Sequence, residues 1–268
     1  MRLLATALVA LAFPATAWCE ATLVTRELPV GGMRTLAAAE APTRFNLLGL
    51  HWRGPGRVFF RVRGDKGWSG WHEADAEAED LPDRGTDEAR RMKAWRVGNP
   101  WWTGTADRVQ VRTHGRVDRI RAHYVWSPEE PMLDRALQIA GSPKIILRQS
   151  WGANERIRRD NPDYAPMLMD AIVHHTAGAA GYSPAQSAAI VRGIQTYHVL
   201  GNGWDDIGYN FLVDRFGQIF EGRYGGIERN VIGAHAQGFN TGSVGISLLG
   251  NYDSMALSPA AREAVSRL

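Results

Sequence analysis

Four short blocks between residues 171 and 252 constrain this chain more than anything else in it. They read Ala-Ile-Val-His-His-Thr-Ala at 171–177, Trp-Asp-Asp-Ile-Gly-Tyr-Asn-Phe at 204–211, Gly-Ala-His-Ala-Gln-Gly-Phe-Asn at 233–240 and Val-Gly-Ile-Ser-Leu-Leu-Gly-Asn-Tyr at 244–252. Each places groups able to bind a metal or move a proton beside a short apolar run. Apolar runs of this length, separated by helix signals, predict buried strands of an α/β sheet. Ala171 to His175 and Val244 to Leu249 are two such strands. Tyr209 to Val213 and Gln218 to Glu221 are two more, joined at Asp214–Gly217.

Between them, Ser183-Pro184-Ala185-Gln186 predicts a helix start. Serine caps, proline fits the first turn, and glutamine completes a capping box. Ile190, Ile194 and Tyr197 then give one apolar face, and Gly201-Asn202-Gly203 predicts the stop. Ser258-Pro259 opens a second helix, with Ala261, Ala264, Val265 and Leu268 at i, i+3, i+4 and i+7. That pattern is still running at Leu268, with no C-cap.

The first half of the chain follows a different period. Val58, Phe60 and Val62 alternate with Phe59, Arg61 and Arg63, and Gly64-Asp65-Lys66-Gly67 supplies a turn. Val109, Val111 and Thr113 alternate with Gln110 and Arg112, and Ile120 to Trp126 is a further strand. Alternation broken by turns every 8–15 positions predicts a small antiparallel sandwich. The acidic stretch Glu73–Asp80, followed by Pro82, reads as a loop. Seven of the ten tryptophans lie between Trp52 and Trp126. Their indoles are either a stacking platform for sugar rings or the core and rim of the sandwich.

The expected organisation is therefore a signal peptide at 1–21, a lead-in at 22–43, a β-rich module at 44–127, a linker at 128–144 containing a short helix at 132–140, and an α/β domain at 145–268. Arg2 followed by the apolar Leu3–Ala17, with small residues at Ala15-Thr16-Ala17 and Cys19-Glu20-Ala21, predicts export to the periplasm or exterior. The apolar stretch is too short to span a bilayer, and no later segment has the required length. Cys19 is the only cysteine, so no internal disulfide is expected. Residues 1–150 carry 22 Lys and Arg against 17 Asp and Glu, whereas residues 151–268 carry 9 against 11. A slightly acidic second half argues against a nucleic-acid-binding face there.

His174 and His175 are adjacent in a strand, so only one can face a given side. A polar strand end and a metal-binding histidine are both open for that pair taken alone. Tyr209 is either a half-buried strand tyrosine or a phenol donating to an oxyanion. Arg223 meets either a ligand carboxylate or a surface acid. His198 sits on a helix and reads equally well as structural. His51, His72, His114 and His123 lack metal-ligand spacing and receive no role.

The order and chemistry of the four blocks, with Arg148-Gln149-Ser150-Trp151-Gly152-Ala153 as an opening segment, resemble the peptidoglycan recognition and type 2 amidase family. The resemblance covers about residues 145–268. Residues 44–127 are more loosely similar to β-rich modules that precede such domains in secreted bacterial proteins. The family likeness implies a mixed central β-sheet flanked by helices. It also implies zinc-dependent hydrolysis of the amide between N-acetylmuramic acid and L-alanine. By the same likeness His174 is a zinc ligand, Tyr209 holds the oxyanion, and Thr176, His235 and Asn240 line the substrate groove. The remaining histidine and cysteine ligands of the family fall after the last long helix, so the zinc site and the domain are expected to be incomplete at Leu268. The alternative is a non-catalytic protein that recognises wall fragments. Peptidoglycan and its muropeptides are the expected partners, for a monomer without nucleic acid or a membrane span.

Overall fold

The computed structural model describes residues 20–268 apart from 31–34, 77–79, 93, 133–135, 138–141, 180 and 254. Residues 1–19 of the expected signal peptide, Cys19 among them, lie outside the described residues. None of the helices among the described residues is long and apolar enough to cross a membrane.

The first half is one antiparallel sheet. Its strands are β1 (Thr22–Leu28), β2 (Ala39–Arg53), β3 (Arg57–Gly64), β4 (Gly67–Trp68), β5 (His72–Glu73), β6 (Arg96–Val97), β7 (Trp101–His114) and β8 (Arg119–Trp126). The order is β1-β8-β2-β7-β3-β4, with β5 on β3 and β6 on β2. The lead-in is thus not separate, because Thr22 pairs with Trp126 and Leu28 with Ile120. Register breaks between Glu40, Phe45 and Leu47 interrupt the long β2, and bulges of this kind bend a strand and sharpen its twist. The alternation read from the sequence sends Val58, Phe60, Val62, Val109 and Val111 into one core with Phe45, Trp52 and Tyr124. Of the seven tryptophans between Trp52 and Trp126, Trp52 and Trp102 are buried. The indoles of Trp68 and Trp71 are stacked by Arg61, and Trp95 by Arg53, Arg119 and Arg121. A one-turn helix, α1 (Asp87–Arg91), lies between β5 and β6.

The second sheet contains β9 (Ala136–Leu137), β10 (Ile145–Ile146), β11 (Asp170–His175), β12 (Phe211–Val213), β13 (Ile219–Glu221) and β14 (Ser243–Leu248), in the order β11-β14-β12-β13-β10-β9. It is mixed: β11–β14, β14–β12 and β13–β10 are parallel, and β12–β13 and β10–β9 antiparallel. Three helices accompany it: α2 (Arg148–Trp151), α3 (Ser187–Thr196) and α4 (Pro259–Arg267). Fold and order match the α/β expectation, with three corrections. The linking helix is not there where the chain is described, since Ala136–Leu137 pairs with β10. Strand β11 is an edge, so Val173 stays 51% exposed rather than buried. Tyr209 and Asn210 precede β12 instead of opening it.

The helix predicted from Ser183 begins as a 3-10 turn at Pro184–Gln186, where Gln186 Oε1 accepts from Ser183 N at 2.9 Å. It continues as α3 and then as π turns at Tyr197–Asn202, ending on Gly203 in the left-handed region. One apolar face was expected, yet all ten residues of α3 are buried. The reason is tertiary. The helix lies between the two sheets, with Leu47 and Val125 on one side and Leu212 and Phe220 on the other, in a single shared cluster. Burying Ile190 and Ile194 contributes about 1.5–3 kcal/mol each. Its polar residues find partners in place: Arg192 Nη2 donates to Pro128 O at 2.6 Å and Gln195 Nε2 to Asp206 Oδ1 at 3.2 Å. This shared core fixes the first sheet against the second domain, and so fixes what reaches the site.

Candidate functional site

The site forms at the end of β11, where alternation separates the two histidines as expected. The His175 ring turns to the other side, and its Nδ1 accepts from Tyr252 N at 3.0 Å. The His174 ring faces inward, with Nε2 3.1 Å from His235 Nδ1. The His174 and Tyr209 rings are 5.7 Å apart. Tyr209 is positioned by its own backbone, because Arg223 N donates to Tyr209 O at 2.8 Å. Buried His198 helps, its Nδ1 accepting from Gly208 N at 3.1 Å. Of the two readings of His198, the structural one holds.

His235 is fully buried. Desolvation, with the neighbouring His174 adding to it, lowers its pKa to about 4, so the ring is neutral at pH 7. It fits only because residue 245 is glycine: a Cβ there would overlap the imidazole. Asn240 is buried as well, and its Oδ1 accepts from His235 N at 2.7 Å and Ala236 N at 2.9 Å. Thr176 is buried with its Oγ1 accepting from Gly250 N at 3.0 Å. Thus His174, Tyr209, His235 and Asn240 are joined in one constellation. Thr176 lies one residue beyond β11 and braces the turn after β14.

The sequence reading missed a second set of groups, which arrive from the first half of the chain. Asp80 Oδ1 lies 2.9 Å from His174 Nδ1, and Tyr209 OH donates to Asp80 Oδ2 at 3.2 Å. Asp83 Oδ1 accepts from Asn240 Nδ2 at 2.7 Å and Gly238 N at 2.6 Å. Glu88 Oε1 accepts from Arg223 Nη2 at 2.8 Å and Asp205 N at 2.7 Å. Arg223 is therefore ion-paired, but the pair is buried, each side chain only 9% exposed. The one signal in the sequence was the run of acids through 73–88, which has no apolar period of its own.

The donors described do not assemble a zinc site. Both nitrogens of His174 are engaged, one by a carboxylate and one by His235, and among the described residues no group of three His, Cys, Asp or Glu is placed to hold a metal ion. What the arrangement does offer is a pair of hydrogen-bond donors, imidazole and phenol, converging on the two oxygens of one carboxylate. A cavity of about 410 Å³ lies elsewhere, lined by Leu168, Phe211, Val244 and Ile246 and holding neither His174 nor Tyr209.

Comparison with known proteins divides the chain in two. Residues 168–268 match the N-acetylmuramoyl-L-alanine amidase family model. Residues 7–134 match a model described as Rv3811 N-terminal galactose-binding domain-like. Peptidoglycan-recognition protein SC2 of Drosophila simulans is 42% identical over 118 residues, 43% of this chain and 60% of the relative; the chain thus spans less than two thirds of that protein's length. The solved structure of bumblebee PGRP-SA is 35% identical, covering 46% of this chain and 71% of that one, at a TM-score of 0.41. Peptidoglycan recognition protein-LE, solved in complex with tracheal cytotoxin (monomeric diaminopimelic acid-type peptidoglycan), is 32% identical over 46% of this chain and 69% of that one, at a TM-score of 0.42. The chain belongs to the peptidoglycan recognition protein and type 2 amidase family, with its family domain preceded by a galactose-binding-like β domain.

Proposed function

We propose that the groove centred on His174 and Tyr209 binds the stem peptide of peptidoglycan muropeptides, in an exported protein whose signal peptide is residues 1–21. The observation that carries this is the convergence of His174 Nδ1 and Tyr209 OH on one carboxylate. Two donors from separate elements, held by His235 and by the Tyr209 backbone, make a preorganised seat for a carboxylate or an amide carbonyl. His235 and Asn240 support that seat from beneath, and Thr176 shapes its margin. The complex of the LE protein with a monomeric peptidoglycan supports the ligand class. Residues 145–268 form the recognition unit in this reading and residues 22–126 the β module.

The test is retention on insoluble peptidoglycan of the chain from residue 22 onward. Wild type is expected in the pellet. Tyr209→Phe, which loses one hydrogen bond to a charged or carbonyl oxygen, is expected to bind soluble muropeptide about tenfold more weakly. No retention above a control protein of equal charge would remove the proposal.

Hydrolysis of the amide between N-acetylmuramic acid and L-alanine is the second reading. It is favoured by one feature, the phenol of Tyr209 beside His174, where a developing oxyanion would need a donor. His174 would then be one zinc ligand. Because the described donors do not complete a metal site, no step through zinc follows from them. Digestion of purified peptidoglycan with and without added zinc separates the readings: release of peptides beginning with L-alanine supports hydrolysis, and binding without release supports recognition alone.

A further inference from the structure

The segment Asp80–Met92 crosses from the β module onto the groove, and three of its carboxylates each meet a different part of it. Asp80 takes His174 and Tyr209. Asp83 takes Asn240 and the backbone N–H of Gly238. Glu88 takes Arg223. Backbone carbonyls follow the same course, Leu81 O accepting from Asn240 Nδ2 at 3.0 Å and Pro82 O from Gln237 Nε2 at 3.1 Å. A chain segment with carboxylates at intervals, satisfied by donors along a groove, is also a description of a peptidoglycan stem peptide, whose free acids alternate with amides.

We propose that this strap is an autoinhibitory mimic of the stem peptide, and that muropeptide binding expels it. The inference rests on the groove being the muropeptide site. Asp80 does not flank the His174–Tyr209 seat; it fills the seat with both oxygens, so a ligand acid or carbonyl and Asp80 exclude one another. The strap is also built to leave. Arg84, Gly85, Thr86, Asp87 and Arg90 are exposed, and its helix is a single turn capped locally, Thr86 Oγ1 accepting from Ala89 N at 3.2 Å. A segment with little buried apolar surface opens at low cost. Its anchor lies at the far end, where the Met92 sulfur meets the Trp204 indole and the Arg91 guanidinium meets Asp205. Release of residues 80–88 about that anchor would also free the Arg223 guanidinium, whose Nη1 is buried without a hydrogen-bond partner among the described residues.

The experiment compares wild type with the double variant Asp80→Ala, Asp83→Ala by calorimetry, using a soluble monomeric diaminopimelic acid-type muropeptide. The strap lowers the fraction of open groove and so raises the apparent Kd by that fraction. The double variant is expected to bind at least about tenfold more tightly, and a synthetic peptide of residues 80–92 is expected to compete with the muropeptide for it. In wild type, which avoids any folding defect of the variant, muropeptide is expected to speed tryptic cleavage at Arg84 and Arg90. Equal or weaker binding by the double variant, or cleavage slowed by ligand, would overturn the proposal and make the strap a wall of the groove. If neither protein binds, the groove assignment itself fails and the strap proposal falls with it.

Discussion

Acidification should destabilise this protein through histidines buried in neutral form, and the structure gives the size. His51 and His123 lie in the interface between the first sheet and α3. His51 Nε2 is 3.0 Å from both Tyr197 OH and Asn202 Oδ1, and His123 Nε2 is 3.2 Å from His51 Nδ1. Thr25 Oγ1 faces His123 Nδ1 at 2.9 Å, and Arg121 adds positive charge nearby. Burial is the first cause of a pKa lowered to about 4 for His51 and about 2 for His123. His198, under Tyr209, is lowered to about 3 for the same reason. The sign follows from linkage. The unfolded chain takes up protons below about pH 6.5 and the folded chain does not, so stability falls as pH falls below that value. Each histidine removes about 1.4 kcal/mol per pH unit, and with His235, whose pKa burial also lowers to about 4, the four together about 5. At pH 5 the loss is about 8 kcal/mol, a large part of a typical 5–15 kcal/mol. Burial raises the pKa of Glu221 and Asp205, which acts in the opposite direction. Urea unfolding followed by tryptophan fluorescence from pH 7.5 to 5.0 measures the slope, and Trp204, 4.4 Å from His198, reports locally. His51→Gln should remove about a quarter of it. A urea midpoint that is flat across this range, or a slope unchanged in His51→Gln, would refute the reasoning.

Gly245→Ala should cost about 1–3 kcal/mol by forcing the His235 ring aside on a central strand, and it should weaken muropeptide binding by loosening His174; unchanged stability with unchanged binding would show the ring is free to move. Arg148→Ala should cost about 3–5 kcal/mol, since Arg148 Nη1 lies 3.0 Å from Asp206, both side chains at most 5% exposed, and the change strands a buried acid; a urea midpoint within error of wild type would contradict it.

How much of the site was legible depended on sequence distance. His174 and Tyr209 were identified because each sits in a short block whose residues carry their own context. Strand alternation then separated His174 from His175 with no tertiary information. His51 and His123 received no role because their partner Tyr197 is 146 residues from His51 and on another domain. The acidic run near Asp80 read as a loop; the meaning of Asp80 lies in contacts with residues 94 and 129 positions away.

Local physics determined the elements: the period-2 strands of the first half, the Ser183 and Ser258 helix starts, the stop at Gly203, and the apolar strands that end in His175 and at Leu248. These depend on backbone preferences and side-chain periodicity within a few residues, so the sequence alone determined them. The tertiary structure decided that α3 is buried on every side, that Arg223 pairs with Glu88 out of water, and that an aspartate from the β module occupies the groove. Each depends on how two separately formed sheets pack across one helix. That packing is set by the shape of the shared core around Leu47, Val125 and Ile194, which no local pattern records.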